Sequence, residues 1–214
     1  MKKKLIFIFT LIILLFIYVF LLSINYVKAV SCNLSDSVLR LHIIANSNST
    51  DDQNLKLKVR DNIIKYMNTL TSDCSNKSDV ISKVSNNLDK FKEIAINTIK
   101  ENGYNYNVNL EIGNFYFPTK SYGDISFPSG YYDALKIEIG EAVGQNWWCV
   151  LFPPLCFVNS TTGIVPDESK EELKESINSE GYKIISEGNT NESNEPDIKI
   201  KFKLIEFFNN LEKQ

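Results

Sequence analysis

The hydrophobic pattern begins with an almost unbroken apolar run at the N-terminus. Residues 5–22 are apolar except for Thr10, and three lysines at positions 2–4 precede them. A charged start followed by such a run predicts a segment that exports the chain, and its length is close to the roughly 20 residues that span a bilayer. Residues 27–29, Val-Lys-Ala, favour signal-peptidase cleavage after Ala29 over a retained signal-anchor, and a lipoprotein site at Cys32 is a weaker match. In each case the lysines stay cytoplasmic and the rest lies outside.

The next segments show first the period of a strand and then the period of two helices. Leu39, Leu41 and Ile43 face one way and Arg40 and His42 the other, which predicts a strand over 38–44. After a polar turn, Asp51 and Asp52 suit a helix N-terminus. Two amphipathic helices follow, the second capped by Ser78 and closed by Gly103; their apolar positions at helical spacing are Leu55, Val59, Ile63, Met67 and Leu70, then Val80, Val84, Leu88, Phe91, Ala95 and Ile99.

The second half of the chain changes to a period of two. Strands are predicted over 106–112, 135–139 and 147–151, with a loop or short hairpin around Gly123, Pro128 and Gly130. The charged stretch 167–179 predicts a short helix anchored by Leu173 and Ile177. Residues 198–208 alternate Ile and Phe with Lys, which predicts an edge strand protected by lysines.

This order of elements predicts an α+β fold, a mainly antiparallel sheet with two long helices covering one face, preceded by an N-terminal signal or transmembrane helix. The expected organisation is a signal peptide or signal-anchor at 1–29 and a globular domain at 30–185. A polar linker at 186–197 and a C-terminal strand or tail at 198–214 complete it.

Charge and cysteine content narrow the classes of partner. Removing residues 1–29 takes away four lysines and no acid, which leaves 19 basic and 26 acidic residues and a net charge of −7. Such a domain has no electrostatic reason to bind nucleic acid or an anionic membrane, so we expect membrane contact only through the N-terminal segment. Cys149 and Cys156 are the favoured disulfide pair in an exported chain, with buried free thiols as the alternative. The sequence contains no cluster of cysteine and histidine residues, so we predict no metal site.

The sequence contains few of the residues and none of the common motifs that catalysis requires. His42 is the only histidine, and a general base also needs a nucleophile and an orienting carboxylate. No nucleophile elbow, zinc-protease motif or phosphate loop occurs. We therefore predict no catalytic residue and no cofactor, and assign His42 a structural or partner-contacting role.

Both tryptophans lie beside the Cys149–Cys156 segment and its Pro-Pro pair. Strand geometry puts Trp147 and Trp148 on opposite faces of the sheet, so one of them could be exposed and anchor an interface. The alternative, a central buried strand, accounts for most of the segment. The candidate partner-binding residues are Trp147, Trp148, Phe152, Pro153, Pro154, Arg40 and His42.

Three collinear blocks resemble one known family. Residues 39–47 (LRLHIIANS) lead into 52–61 (DQNLKLKVRD), and residues 130–142 (GYYDALKIEIGEA) continue through 146–158 (NWWCVLFPPLCFV). Residues 117–120 (FPTK) with Tyr122 and Gly123 also fit. This pattern is similar to the stage II sporulation protein R family over about 38–158; Asn48 and Asn159 depart from it where acids are common.

The resemblance implies an intercellular signal of endospore formation. Members of that family are made in the forespore, cross its membrane and act in the intermembrane space, either released or anchored. There they activate stage II sporulation protein GA, a membrane-bound aspartyl protease of the mother cell that processes pro-sigma-E. The alternatives are an envelope hydrolase that uses His42 and a structural envelope or spore-coat protein.

Overall fold

A long N-terminal helix enters the domain and joins its core. The computed structural model describes residues 2–156, 165–187 and 196–212. Helix α1 spans Lys2–Ser37, and its most apolar window is wholly exposed. Val27, Val30 and Leu34, near its other end, belong to the buried core. The described chain thus has one helix long and apolar enough to cross a membrane, and the expected boundary at Ala29 lies inside it.

The first strand and the first amphipathic helix form as predicted. Strand β1 spans Leu39–Ile44 and helix α2 spans Thr50–Thr71. Ser49 caps α2, because its side chain accepts a hydrogen bond from the Asp52 amide. The apolar stripe of α2 packs into the core through Leu55, Val59, Ile63 and Met67.

The second predicted helix is two helices, which corrects that prediction. Helix α3 spans Lys77–Asn86 and α4 spans Leu88–Glu101, with Asn76 rather than Ser78 capping α3. Asn87 leaves the helical conformation, at φ −120° and ψ 16°, and its amide bonds back to Val84. The apolar stripe continues across this break, since every expected side chain of the two helices is buried except Leu88, which is half-buried. Gly103 ends α4 at φ 84°, as predicted.

Within the described residues, the main sheet has four strands and is mainly antiparallel. Strands β2 (Val108–Phe117), β5 (Gly130–Ile139) and β6 (Asn146–Phe152) join β1 in the order β2-β5-β1-β6. β1 pairs with β5 in parallel, and the other two pairs are antiparallel. Strands β3 (Lys120–Tyr122) and β4 (Ile125–Phe127) form the short hairpin expected around Gly123. The α+β prediction is confirmed.

The C-terminal part is helical, and here one prediction is wrong. Helices α5 (Asp167–Ser176), α6 (Ser179–Glu187) and α7 (Pro196–Glu212) occupy it. Both expected anchors are buried, Leu173 within α5 and Ile177 directly after it, whereas α6 was not predicted. The edge strand over 198–208 is instead part of α7, because Ile198, Phe202 and Ile205 also fall on one helical face and that face is buried. The expected linker lies largely outside the described residues, at 188–195.

The two faces of the sheet are covered differently. Helices α2 and α4 pack on the face that carries Leu41 and Ile43. The opposite face carries Arg40 and His42. Its Arg40 half lies under the β3–β4 hairpin, against which α6 packs, while α1 and α7 contact β5. The His42 half of that face has no such cover from the hairpin and forms one of two candidate surfaces.

Candidate interaction surfaces

The segment after β6 is fixed by a disulfide and by backbone contacts. Cys149 and Cys156 are bonded, with Cα atoms 5.3 Å apart, as the sequence suggested. The Leu155 amide donates to the Val150 carbonyl at 3.1 Å, which closes the turn. Pro153 is buried, whereas Phe152 and Pro154 are half-buried. The turn therefore presents two apolar side chains on a constrained backbone.

Phe152 and Pro154 line a cleft on the surface of the described molecule. The cleft, of about 590 Å³, lies between the C-terminal end of α2, the turn after β6 and helix α5. The α2 end contributes hydroxyl, amide and thiol groups, and α5 contributes Glu172, Glu175 and Ser176. We call this the α2–α5 cleft. A wall with two apolar side chains near two carboxylates suits a polypeptide segment that carries apolar and basic side chains.

The second surface is the part of this sheet face around His42 that lies outside the β3–β4 hairpin; the His42 side chain is largely buried, at 8% exposed, beside the half-buried Trp148. The rings of His42 and Trp148 stack, with centroids 3.7 Å apart and planes 16° from parallel. His42 Nε2 is 2.7 Å from the Asn146 Oδ1 atom, so this nitrogen donates to the amide oxygen. Burial lowers the pKa of His42, partly offset by that hydrogen bond. We call this area the His42 face.

Charged side chains complete the His42 face. Lys136 Nζ lies 2.5 Å from Glu111 and 3.1 Å from Glu138, and 4.8 Å from the centre of the Phe115 ring. The hydrogen bond to Glu111 raises the pKa of Lys136. A hydrogen bond from Asn109 lowers the pKa of Glu138. The His42 face therefore combines a histidine of lowered pKa with a lysine that forms ion pairs to two glutamates.

This arrangement does not assemble a nucleophile around His42. Within the described residues, its side-chain hydrogen bond goes to an amide, and no serine, threonine or cysteine is hydrogen-bonded to the ring. Nδ1 is buried without a partner. A triad requires a base bonded both to a nucleophile and to an orienting group. The geometry favours a structural role for His42 in holding Trp148.

Arg40 is an interior residue, which removes it from the candidate contact set. It is fully buried, with its guanidinium carbon 4.1 Å from the centre of the Phe117 ring and 4.8 Å from that of Tyr132. Its Nη2 donates to the Tyr122 hydroxyl at 2.7 Å. The alternation of β1 put Arg40 on the polar face, but the β3–β4 hairpin covers that part. Arg40 is therefore not available to a partner in this structure.

Trp147 lies on the opposite face from Trp148, as strand geometry predicted. In the β1–β6 register Trp147 pairs with Ile43 and Trp148 with His42. Both tryptophans are half-buried, and the Arg60 guanidinium lies 4.2 Å from the centre of the Trp147 ring. Each tryptophan therefore has packing partners within the domain as well as exposed area.

The Ala45-Asn46-Ser47 segment has a role that the sequence reasoning missed. Asn46 and Ser47 donate to the Asp52 carboxylate at 2.9 and 2.5 Å. Burial raises the pKa of Asp52, but these hydrogen bonds outweigh it and the pKa is lowered. The Gly144 amide donates to the Ala45 carbonyl at 3.0 Å, and a Cβ there would lie 2.2 Å from the Ser47 carbonyl oxygen. Besides its place near the positive end of the helix dipole, Asp52 therefore holds the β1–α2 loop in shape through these hydrogen bonds, and the β5–β6 turn packs on that loop.

Comparison with known proteins agrees with the resemblance in the sequence. Residues 35–162 match the family model described as Stage II sporulation protein R. The chain is also 35% identical over 185 residues to Stage II sporulation protein R of Bacillus subtilis (strain 168), covering 82% of each protein. No solved structure matches significantly. The matched region contains both candidate surfaces except for the α5 wall of the cleft.

Proposed function

Because the chain belongs to the stage II sporulation protein R family, we propose that it is an exported signal of endospore formation that activates a membrane-bound aspartyl protease. The protease in this proposal is stage II sporulation protein GA of the mother cell, and its substrate is pro-sigma-E. The protein acts as a ligand: its binding shifts the protease toward the active arrangement. It comes from the forespore and acts in the intermembrane space.

The observation that carries the proposal is the position of α1. Its apolar part is exposed along the whole membrane-length window, while Val27, Val30 and Leu34 are core residues of the domain. A domain joined so closely to a membrane helix would be held at the membrane surface for as long as the helix is retained. That position suits a ligand whose receptor is itself in a membrane, and cleavage would instead release it to diffuse.

We propose that the α2–α5 cleft receives an extracytoplasmic segment of the protease. The disulfide holds Phe152 and Pro154 at its wall, so little conformational entropy is lost on binding. Glu172 and Glu175 are both exposed on the α5 side, which favours a segment with basic side chains. The His42 face is less suited to bind the protease, because its charged side chains already pair with one another.

A pair of charge reversals on α5 tests the cleft. Glu172→Lys places a positive charge in the cleft, whereas Glu171→Lys makes the same change on the same helix outside its lining. Detergent-solubilised protease is titrated with each variant, and binding is measured by fluorescence anisotropy. We expect Glu172→Lys to weaken binding about tenfold, which corresponds to about 1.4 kcal/mol, and Glu171→Lys to bind like wild type. Equal binding by both variants would exclude the cleft as the contact surface.

A further inference from the structure

Helix α7 carries two apolar faces, of which the domain uses one. Ile198, Phe202, Ile205 and Asn209 are buried. The opposite face carries a second stripe at helical spacing, made of Ile200, Leu204, Phe207 and Leu211. Ile200, Phe207 and Leu211 are 59%, 56% and 52% exposed. We call these four residues the outer stripe of α7. An exposed apolar stripe of this length marks a surface that contacts a partner or a membrane.

The C-terminal end of α7, with Phe207 and Leu211 of the outer stripe, lies beside the membrane helix. The Phe208 ring is 5.7 Å from that of Phe20, and Phe20 belongs to the apolar run that ends at Leu22. Phe208 and Leu211 also line a cavity of about 270 Å³ with Ile24, Val27 and Lys28. The contact therefore lies where α1 leaves its apolar run.

The depth of this contact can be bounded from helix geometry. From Leu22 to Lys28 the helix rises about 9 Å, at about 1.5 Å per residue. The headgroup layer on each side of a bilayer is about 5 to 8 Å thick. With α1 spanning the bilayer, the α7 residues that line the cavity with Ile24 and Val27 therefore lie within or at the border of this layer.

We propose that the outer stripe of α7 is a bilayer-contact surface, with Phe207 and Leu211 inserted among phospholipid headgroups and upper acyl chains. Apolar side chains on an amphipathic helix beside an interface insert in this way. The occupant is lipid rather than a second copy of the chain, because the neighbouring α1 residues already lie at headgroup depth. The proposal revises the expectation that only the N-terminal segment touches the membrane. It rests on α1 being in the membrane, and not on activation of the protease.

Photocrosslinking of the full chain in vesicles tests this surface without the protease. A diazirine analogue of phenylalanine replaces Phe207, or photo-leucine replaces Leu211, in protein reconstituted into phosphatidylcholine–phosphatidylglycerol vesicles. The matched control is Val143, an apolar residue that is 72% exposed. It lies beyond the end of β5 opposite to Gly130, which approaches Asn209 of α7, and the ten residues of β5 separate these ends by about 30 Å.

We expect phospholipid adducts at positions 207 and 211 at least tenfold above those at 143, measured by mass spectrometry. A probe at the buried Phe202 serves as the folding control and should yield adducts only within the chain. Adducts with water, or with a second protein molecule, at 207 and 211 would overturn the proposal. Because no protease is present, this result is independent of the proposed signalling role.

Discussion

His42 and Trp148 form a cross-strand stacked pair, with ring centroids 3.7 Å apart. The stack joins the central strand β1 to the edge strand β6, close to the Cys149–Cys156 disulfide. Phe117 packs edge-on against the same tryptophan, at 4.7 Å. The pair thus connects the disulfide-bonded turn after β6 to the centre of the sheet.

Removing the tryptophan of this stack should destabilise the domain. Trp148→Ala loses a half-buried ring and its aromatic contacts, and we expect a loss of about 2 kcal/mol in the free energy of unfolding. Trp148→Phe retains a ring over His42 and should lose less than half of that. Urea unfolding followed by circular dichroism measures both; equal stability of Trp148→Ala and wild type would show that the stack does not contribute.

The lowered pKa of His42 predicts a pH dependence of stability. Burial lowers the pKa in the folded state below the ordinary value of 6.5, so the neutral ring is favoured by folding. The stabilisation is therefore complete above pH 6.5 and is lost as the pH falls through the folded pKa. His42→Gln cannot titrate and should lack this component. The measurement is the difference between the two unfolding free energies from pH 8 to pH 5; a difference independent of pH would contradict the assignment.

The same variant separates a ligand from a hydrolase. An envelope hydrolase based on His42 would lose its activity in His42→Gln, whereas a ligand whose histidine supports Trp148 would keep most of its signalling. We expect activation within about threefold of wild type once the variant is shown to be folded, which corresponds to about 0.65 kcal/mol. Complete loss of activation by a folded His42→Gln protein would contradict the structural role, and a hydrolytic activity that is present in wild type and absent from this variant would favour the catalytic hypothesis.

Substitutions of Arg40 test whether this residue supports the core or contacts the protease. Replacing a buried charge by an apolar side chain of similar volume is often neutral, so Arg40→Met should remain within about 1 kcal/mol of wild type in unfolding free energy. Arg40→Ala leaves a cavity among the Phe117 and Tyr132 rings and should lose about 3 kcal/mol. A stable Arg40→Met protein that no longer bound the protease would return Arg40 to the contact set.

The disulfide should stabilise the segment that lines the cleft. With seven residues of sequence separation, the chain-entropy relation gives a contribution of about 2 kcal/mol. The double variant Cys149→Ala, Cys156→Ala should lose about this much, and a reducing agent should have the same effect on wild type. Cys32→Ser, at an exposed free cysteine, is the control and should leave unfolding unchanged. No effect of reduction on wild type would contradict the disulfide's role.

Two truncations test where α1 becomes part of the domain. A chain that starts at Ser23 keeps Tyr26, which donates to Glu180 at 2.8 Å, and Val27, which is 2% exposed. A chain that starts at Val30 loses both. We expect the shorter chain to be less stable by about 2 kcal/mol, since burial of a valine contributes about 1.5 kcal/mol and the hydrogen bond about 1. Equal stability of the two would mean that cleavage after Ala29 leaves the fold intact.

The sequence predicted an element correctly where its pattern of apolar and polar residues fits only one type of secondary structure. β1 and α2 followed from strict alternation and from the Asp51-Asp52 start of a helix. The alternating Ile-Lys pattern at 198–203 fits both the period of a strand and the period of a helix. The segment forms a helix because Ile198, Phe202 and Ile205 are buried together on one helical face. Arg40 was assigned to a polar face because local alternation cannot reveal a hairpin, distant in sequence, that covers it. The cleft was missed for the same reason, since α5 joins Phe152 only in the folded chain.

Cleavage of pro-sigma-E by reconstituted protease tests the central proposal most directly. Stage II sporulation protein GA in proteoliposomes is incubated with pro-sigma-E, with and without the full chain on the extracytoplasmic side, and cleavage is followed by gel electrophoresis. We predict at least a tenfold increase in cleavage rate with wild type and with Glu171→Lys, and a much smaller increase with Glu172→Lys at the same concentration. No increase with folded wild-type protein would contradict the proposed function.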